Sequence, residues 1–563
     1  MYSRTFCNLL ALYFLHAFLA VVGVSAQGTN TPLLDDDVEA LVNKVLADFN
    51  SPTGIAIGVV RKDQQGAWNV ETKGYGMAKL DGTKVTENTL FAIASNSKLF
   101  TALATGLLIH NETLSPRLTW QSKIGSIIPD WGLMDPYASN HSTIVDLLSH
   151  RTGLPRHDMM ARETDDVTDI VKRLRYLRPS TEPRVQWQYS NLMYITLSSL
   201  PHYMLNTPIP NKTGQLADGL TRQDVNVTEN PFGNGTVRAL PYYVKKDTEA
   251  LVGPGGVISN VIDMCKWLQT LLSRGGKPGT EQIIFPGDIL DTLESGISVW
   301  YPTAAFPELS PVVYGGGLGS GTYRGHVMIE HGGNVPGYNS QITRFPDDKF
   351  GIVVMSNADS YGGPICEAIK YHIVDKAFGL KPVDWSSRYR SGIISSLKGA
   401  TPPNPRPANA TLPPNGFSAL AGTYHNAGYG TLEVCLVTPS SSNDASPTCN
   451  DLVANASTIL PGQIDPAIPT FLIPVDSPYL THLKLTHFNG SIFNFHILRS
   501  YPTGDTNGTT WAADPDPFSP HTIEFADGGF GFQGIWAVGD PTVPPATGNT
   551  PKERAEVRFD KTG

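Results

Sequence analysis

The sequence predicts an α/β (α+β) protein in two parts: an antiparallel sheet flanked by helices, then a small all-β domain, a barrel or sandwich. Three observations predict this. The strand-like runs Val327–Glu330, Gln341–Phe345 and Gly351–Met355 follow one another, with Pro346-Asp347-Asp348 as one intervening turn, and strands adjacent in sequence favour antiparallel pairing. Apolar runs of helical length occur at Lys98–Ile109, Asn191–Leu205 and Val261–Leu272, long enough to cover a sheet. From Thr401 to Gly416 proline is dense, which gives a semi-rigid extended linker; beyond it come short β-rich runs punctuated by Gly, Asn and Pro.

Taken in order, residues 1–26 read as a signal peptide. Arg4 supplies the positive start, Leu9 to Val24 the apolar stretch interrupted by His16, and Val24-Ser25-Ala26 the small cleavage residues. The stretch is short and has no basic stop-transfer flank, so a secreted protein with no membrane association after processing is expected. Nine Asn-x-Ser/Thr acceptors, at Asn111, Asn140, Asn211, Asn226, Asn234, Asn409, Asn455, Asn489 and Asn507, agree with a secretory route.

The main domain spans about 30–400, the linker 401–416 and the β domain 417–563. In the main domain Ile55–Arg61 alternates as a strand, with Trp68–Gly74 as hairpin partner. Ser259-Asn260 caps and Arg274-Gly275-Gly276 ends the amphipathic helix Val261–Leu272. In the β domain the strand-like runs are Thr431–Val437, Thr470–Ile473, Leu483–His487 and Ile492–Leu498.

Composition sets outer bounds. The 563 residues are 40% hydrophobic and 17% charged, with net charge −9, an ordinary soluble make-up. There is no basic stretch of the kind a nucleic-acid partner requires. Four cysteines follow the leader. Cys435 and Cys449 flank a short polar stretch and are the expected disulfide, which would stabilise by roughly 3 kcal/mol. Cys265 and Cys366 either pair or stand as buried thiols. No spacing resembles a metal site, and no cofactor is expected.

The chemistry begins at Ser95-Asn96-Ser97-Lys98. A serine hydroxyl needs a base to take its proton. Residues three apart on a helix share a face, so Ser95 and Lys98 would lie side by side, with a helix N-terminus favouring developing negative charge. Burial in the apolar run that follows would disfavour the ammonium form of Lys98. Two further motifs come in order: Tyr189-Ser190-Asn191 and His331-Gly332-Gly333. Rival copies lack context. Ser395-Ser396-Leu397-Lys398 runs into the linker with no buried helix to hold it, and Tyr424-His425-Asn426 lies in the β domain. Lys212-Thr213-Gly214 sits in a loop, and Lys561-Thr562-Gly563 ends the chain.

With these three motifs the chain resembles the serine β-lactamase and penicillin-binding-protein superfamily, in its class C and esterase branch. Flanking stretches match as well: Gly76–Ser95, Leu147–Leu154 and Gly253-Pro254-Gly255-Gly256. The resemblance covers about 35–385, and the tail from Leu420 resembles the small β domain appended to such hydrolases. It implies an antiparallel sheet flanked by helices with a helical subdomain. It also implies an acyl-enzyme on Ser95, with Lys98 and Tyr189 sharing the proton transfers. Asn191 would bond Lys98 or the substrate. The backbone N–H groups of Ser95 and Asn334 would form the oxyanion hole, and Gly332 and Gly333 would leave room for substrate along the strand. As a base near neutrality, the Tyr189 phenol would have to fall well below its usual value near 10.

His331 departs from the pattern, since β-lactamases and transpeptidases usually carry lysine there. A histidine is mostly neutral at pH 7, which favours esters, lactones or less acidic amides over β-lactams. His150 and His157 read as structural or exposed. The expected partner is a small-molecule or peptide acyl compound, and the expected function is a secreted serine hydrolase. An acyltransferase of specialised metabolism or a non-catalytic binding protein on the same fold are the alternatives. The sequence sets no oligomeric state.

Overall fold

Along strand β1 (Gly54–Lys62) Ile55, Ile57 and Val59 alternate with Ala56, Gly58 and Val60, so both faces are apolar and both must be covered. The computed structural model, which describes residues 32–205, 216–243, 251–399, 405–438, 446–504, 507–514, 521–537 and 543–562, covers both. Ile55, Ile57 and Val59 pack with the helices Asp36–Asp48 and Gly362–Ala377. Ala56 and Val60 pack with the helix Val261–Leu272. A Cβ on Gly58 would stand 2.5 Å from Cys265 Sγ, so only glycine lets this helix seat. The signal segment, Asn211, Lys212-Thr213-Gly214 and the first linker residues lie outside the described residues.

The remaining strands of this sheet are β2 (Trp68–Gly76), β3 (Ser298–Tyr301), β4 (Val312–Tyr314), β5 (Gly319–Tyr323), β6 (His326–Val335), β7 (Tyr338–Phe345) and β8 (Phe350–Ser356). All pairs are antiparallel, in the order β2-β1-β8-β7-β6-β5-β4-β3. The first strand thus pairs with the last, which brings residues near 55 and 356 together. The helices of residues 97–205 pack on one another, with Asn191–Ser198 against Ser97–His110, Ile144–Leu148 and Val167–Arg173. The single helix expected over Asn191–Leu205 is two, Asn191–Ser198 and Leu200–Leu205. Pro201 has no N–H to continue the ladder, and the Ser198 and Ser199 hydroxyls donate to Ile195 O and Thr196 O. Ser395–Lys398 does lie on a helix, Trp385–Gly399, but Ser395 and Lys398 are exposed.

The β domain is a closed eight-stranded barrel. Its strands are β9 (Gly422–Asn426), β10 (Gly430–Thr438), β11 (Thr470–Pro474), β12 (His482–Asn489), β13 (Ile492–Pro502), β15 (His521–Ala526), β16 (Gly529–Gln533) and β17 (Val557–Lys561), with β14 (Thr510–Ala513) added alongside β13. The β12–β13 pairing closes the ring. Aromatic rings fill its interior: Phe493 and Phe525 lie 5.4 Å apart and Phe530 and Phe559 5.0 Å apart. Cys435 and Cys449 form the expected disulfide, tying β10 to the helix Pro447–Ile459. Cys265 and Cys366 are free and buried. Tyr424-His425-Asn426 is structural, with Tyr424 donating to Leu420 O and Asn426 Oδ1 accepting the N–H groups of Gly428 and Tyr429.

Candidate active site

Ser95 sits in a tight turn, Ala94–Asn96, that opens the helix Ser97–His110. Ala94 takes a left-handed φ of 50°, a conformation costly for a residue with a Cβ. Its surroundings hold it there. Ile93 N donates to Val257 O (3.0 Å), Ser340 Oγ donates to Ile93 O (2.8 Å), and Asn96 Nδ2 donates to Ser340 Oγ (2.9 Å).

Lys98 is fully buried one turn along. Its Nζ donates to Asn191 Oδ1 (2.8 Å) and Pro254 O (3.0 Å), and lies 3.2 Å from Ser95 Oγ. Burial pushes the amine well below its usual value, and the Arg156 charge pushes it further. A free-base amine has two hydrogens, and both face acceptors here. Its lone pair is left for the Ser95 hydroxyl. Asn191 is fixed in the required sense because its Nδ2 donates to Asp158 Oδ1 (3.2 Å).

Tyr189 donates to Ser95 Oγ at 2.6 Å. Its phenol is not depressed. Burial pushes it up to about 12, outweighing the opposing pull of Arg156 and of the Ser95 hydrogen bond. The tyrosine therefore keeps its proton near neutrality, and the lysine is the group able to accept one. His150, read from sequence as structural or exposed, is buried and sets the tyrosine's place. Gln188 N donates to His150 O (2.7 Å), and Ser190 N donates to His150 Nδ1 (3.2 Å), so the imidazole is neutral.

Strand β6 runs past this turn. A Cβ on Gly333 would lie 2.2 Å from Ile93 O and 2.5 Å from Ser340 Oγ. Gly333 therefore makes room for the Ser95 turn itself, where the sequence suggested room for a substrate. Asn334 follows it, exposed on the same cavity as Ser95. His331 lies next to Tyr189, ring centres 6.5 Å apart, and like Tyr189 and Lys98 is not exposed on that cavity. It is buried, with Nδ1 2.5 Å from Gly332 O, Nε2 3.1 Å from the Tyr314 hydroxyl, and its ring stacked on Trp300. Burial brings it down to about 4. It is neutral at pH 7 and both ring nitrogens are engaged inside the protein.

The cavity over Ser95 holds about 1200 Å³, and the barrel forms one wall of it through Tyr429, Tyr479, Leu480, Ile497 and Arg499. Tyr479 stacks on Tyr243 at 6.2 Å, and Tyr243 donates to Gly255 O, next to the Pro254 carbonyl that holds Lys98. The walls expose more apolar than polar surface. Among the described residues, no group of three His, Cys, Asp or Glu side chains is placed to hold a metal, and no helix is long and apolar enough to cross a membrane.

The β-lactamase family model matches residues 42–371. The chain belongs to the β-lactamase family. Among its relatives are the unguisins hydrolase ungD of Aspergillus violaceofuscus, 30% identical over 74% of this chain and 79% of that protein, and the unguisins hydrolase ungD' of Aspergillus campestris, 29% identical over 71% and 78%. The octameric penicillin-binding protein homologue from Pyrococcus abyssi superposes with a TM-score of 0.49 and 16% identity, covering 88% of this chain and 97% of that one.

In this member of the β-lactamase family the structure gathers Lys98, Tyr189 and Asn191 around Ser95, puts Ser95, Asn191 and Asn334 on one cavity, and buries His331 beside Tyr189. Sequence reasoning passed over Pro254, Asp158, Arg156 and the barrel wall. Pro254 lay in a flanking stretch already singled out, but it acts through a backbone carbonyl, which no residue type encodes. The barrel residues are separated from Ser95 by more than 300 positions and carry no local signal.

Proposed function

We propose that the chain is a secreted serine hydrolase that opens an ester or amide through an acyl-enzyme on Ser95. One observation carries this reading: Ser95 Oγ is held between a buried amine placed to accept its proton and a phenol that donates to it. The free base of Lys98 takes the hydroxyl proton as Oγ attacks the acyl carbon. The N–H groups of Ser95 and Asn334 receive the developing oxyanion. Tyr189, still protonated, gives its proton to the leaving alcohol or amine, and Lys98 returns one to it. Water then repeats the sequence and frees Ser95.

The neutral, enclosed His331 supports a substrate without the carboxylate that a lysine there would hold. A cavity of about 1200 Å³ with mainly apolar walls supports a bulky acyl compound. Unguisins, named as the substrates of the two Aspergillus relatives, are the first natural compounds to try. The leader and the sequons support secretion; Asn140, Asn226, Asn234, Asn409, Asn455 and Asn507 are exposed. Acyl transfer is the second reading, favoured by a cavity with room for an acceptor beside the acyl group.

The test is hydrolysis of a p-nitrophenyl ester series, a chromogenic cephalosporin and unguisins by the purified protein and Ser95→Ala. Ester or unguisin turnover that vanishes with Ser95 supports the hydrolase. Cephalosporin turnover as the main activity would overturn the reading of His331. Turnover that needs an added amine or alcohol would move the assignment to acyl transfer.

A further inference from the structure

Arg156 touches both arms of the Ser95 site and takes no part in the steps above. Its guanidinium carbon lies 4.7 Å from the centre of the Tyr189 ring, the same distance as Lys98 Nζ. Its Nη1 is 3.7 Å from Asp158 Oδ2, and Asp158 is the residue that turns Asn191 towards Lys98. Its Nε is buried without a hydrogen-bond partner, and the side chain, 29% exposed, lines the cavity with Ser95.

One aromatic face attracts a cation, but two cations on the same ring repel each other. A guanidinium does not lose its proton in a protein, so the lysine is the one that yields. We propose that Arg156 is a positioning residue of this site: its fixed charge on the Tyr189 ring selects the free base of Lys98, and its pairing with Asp158 holds Asn191 in the orientation Lys98 needs. This rests on the acyl-enzyme reading above. The titratable groups around Lys98 are Tyr189, Tyr194 with its ring 5.4 Å away, His150, His331, Asp158 and Arg156. The tyrosines keep their protons and the histidines are neutral, which leaves Arg156 and Asp158 as the two charges, of opposite effect. Burial acts on Lys98 most strongly, and Arg156 adds to it.

The experiment follows the pH dependence of Ser95 labelling by a fluorophosphonate, a readout independent of the natural substrate. Removing a positive charge raises the lysine's affinity for its proton. In Arg156→Gln the acid limb of the labelling rate therefore moves up by roughly one pH unit, a loss of about tenfold below the limb. Arg156→Lys keeps the limb within about 0.3 units of wild type. Asp158→Asn moves it the opposite way, to lower pH. An Arg156→Gln limb coincident with wild type overturns the proposal, as does an Arg156→Lys limb displaced just as far. If Arg156→Gln does not fold, Asp158→Asn decides, and an unmoved limb there overturns it. Labelling absent from the wild type, or persisting in Ser95→Ala, instead brings down the acyl-enzyme reading on which the proposal stands.

Discussion

The imidazole Nδ1 of His157 lies 2.8 Å from the phenol oxygen of Tyr429, joining the β-lactamase-family domain to the barrel. The other nitrogen, Nε2, bonds Arg178 O (3.0 Å), and Arg178 in turn donates to Glu553 O and Ala555 O of the barrel. Arg162 and Arg173 donate to Tyr429 O and Gly428 O. These hydrogen bonds surround one buried histidine, and the Tyr243–Tyr479 stack and the Arg499–Asp359 ion pair cross the same joint.

Burial brings His157 down to about 4 from 6.5. The unfolded chain therefore binds more protons between those values, and stability falls as pH drops from about 6.5 towards 4. His331 adds a loss in the same window. His150, His372, His482 and His487 are also held below the usual imidazole value, so His157→Gln removes one of several contributions and its unfolding midpoint depends less on pH below 6.5. Midpoints measured from pH 7.5 to 4.5 check this, and equal slopes in both proteins would show that folding does not lower the proton affinity of His157. Tyr429→Phe, which leaves Nδ1 unsatisfied, costs about 1–3 kcal/mol at pH 7.

Ser95→Ala abolishes turnover and leaves the fold intact, because only one hydroxyl is lost. Lys98→Ala and Tyr189→Phe each lose on the order of 10³ in kcat, and the double variant loses little more, since the two groups act on one oxygen. Kinetics on the best ester found checks this. A Tyr189→Phe variant near full rate would remove the phenol from the proton path.

His331→Lys does not create a carboxylate site. The ring is enclosed by Trp300, Tyr314 and Tyr189, so a lysine there brings an unpaired charge into the interior near Lys98. The expected result is a loss of roughly 3 kcal/mol in stability with no gain in cephalosporin turnover. Thermal unfolding and a chromogenic assay decide it. A stable variant that turns over cephalosporins would mean that position 331 reaches substrate.

Gly333→Ala tests the approach of β6 to the Ser95 turn. The added methyl meets Ile93 O, a backbone atom that cannot swing aside, so the strand and the turn must separate by roughly 1 Å. Rate falls about 10²-fold from this misplacement while circular dichroism is unchanged. Unaltered kinetics would show that the turn tolerates the shift.

Much of the site was legible because its pieces are local. Ser95 and Lys98 share one helix turn, and Tyr189 and Asn191 flank one helix start, so spacing alone placed each pair. The strands Val327–Glu330, Gln341–Phe345 and Gly351–Met355 were legible for the same reason, though each extends beyond the run that revealed it. The break after Ser198 was not read, because a long apolar run hid the effect of Pro201. The packing requirement for Gly333 was not legible because the atom that imposes it, Ile93 O, comes from a segment about 240 residues away.

By itself the sequence determined the order of the catalytic motifs, the two-part architecture, the Cys435–Cys449 bridge and the replacement of lysine by His331. Each follows from residue type and short-range spacing. Only the tertiary structure shows which group is placed to take the first proton of the proposed reaction. That depends on burial and on charges from other segments: Lys98 is desolvated and shares the Tyr189 ring with Arg156, while Tyr189, equally buried, holds its proton more tightly. It also decided that the barrel walls the cavity. Contacts between residues hundreds of positions apart are set by how two finished domains pack, and no local pattern encodes them.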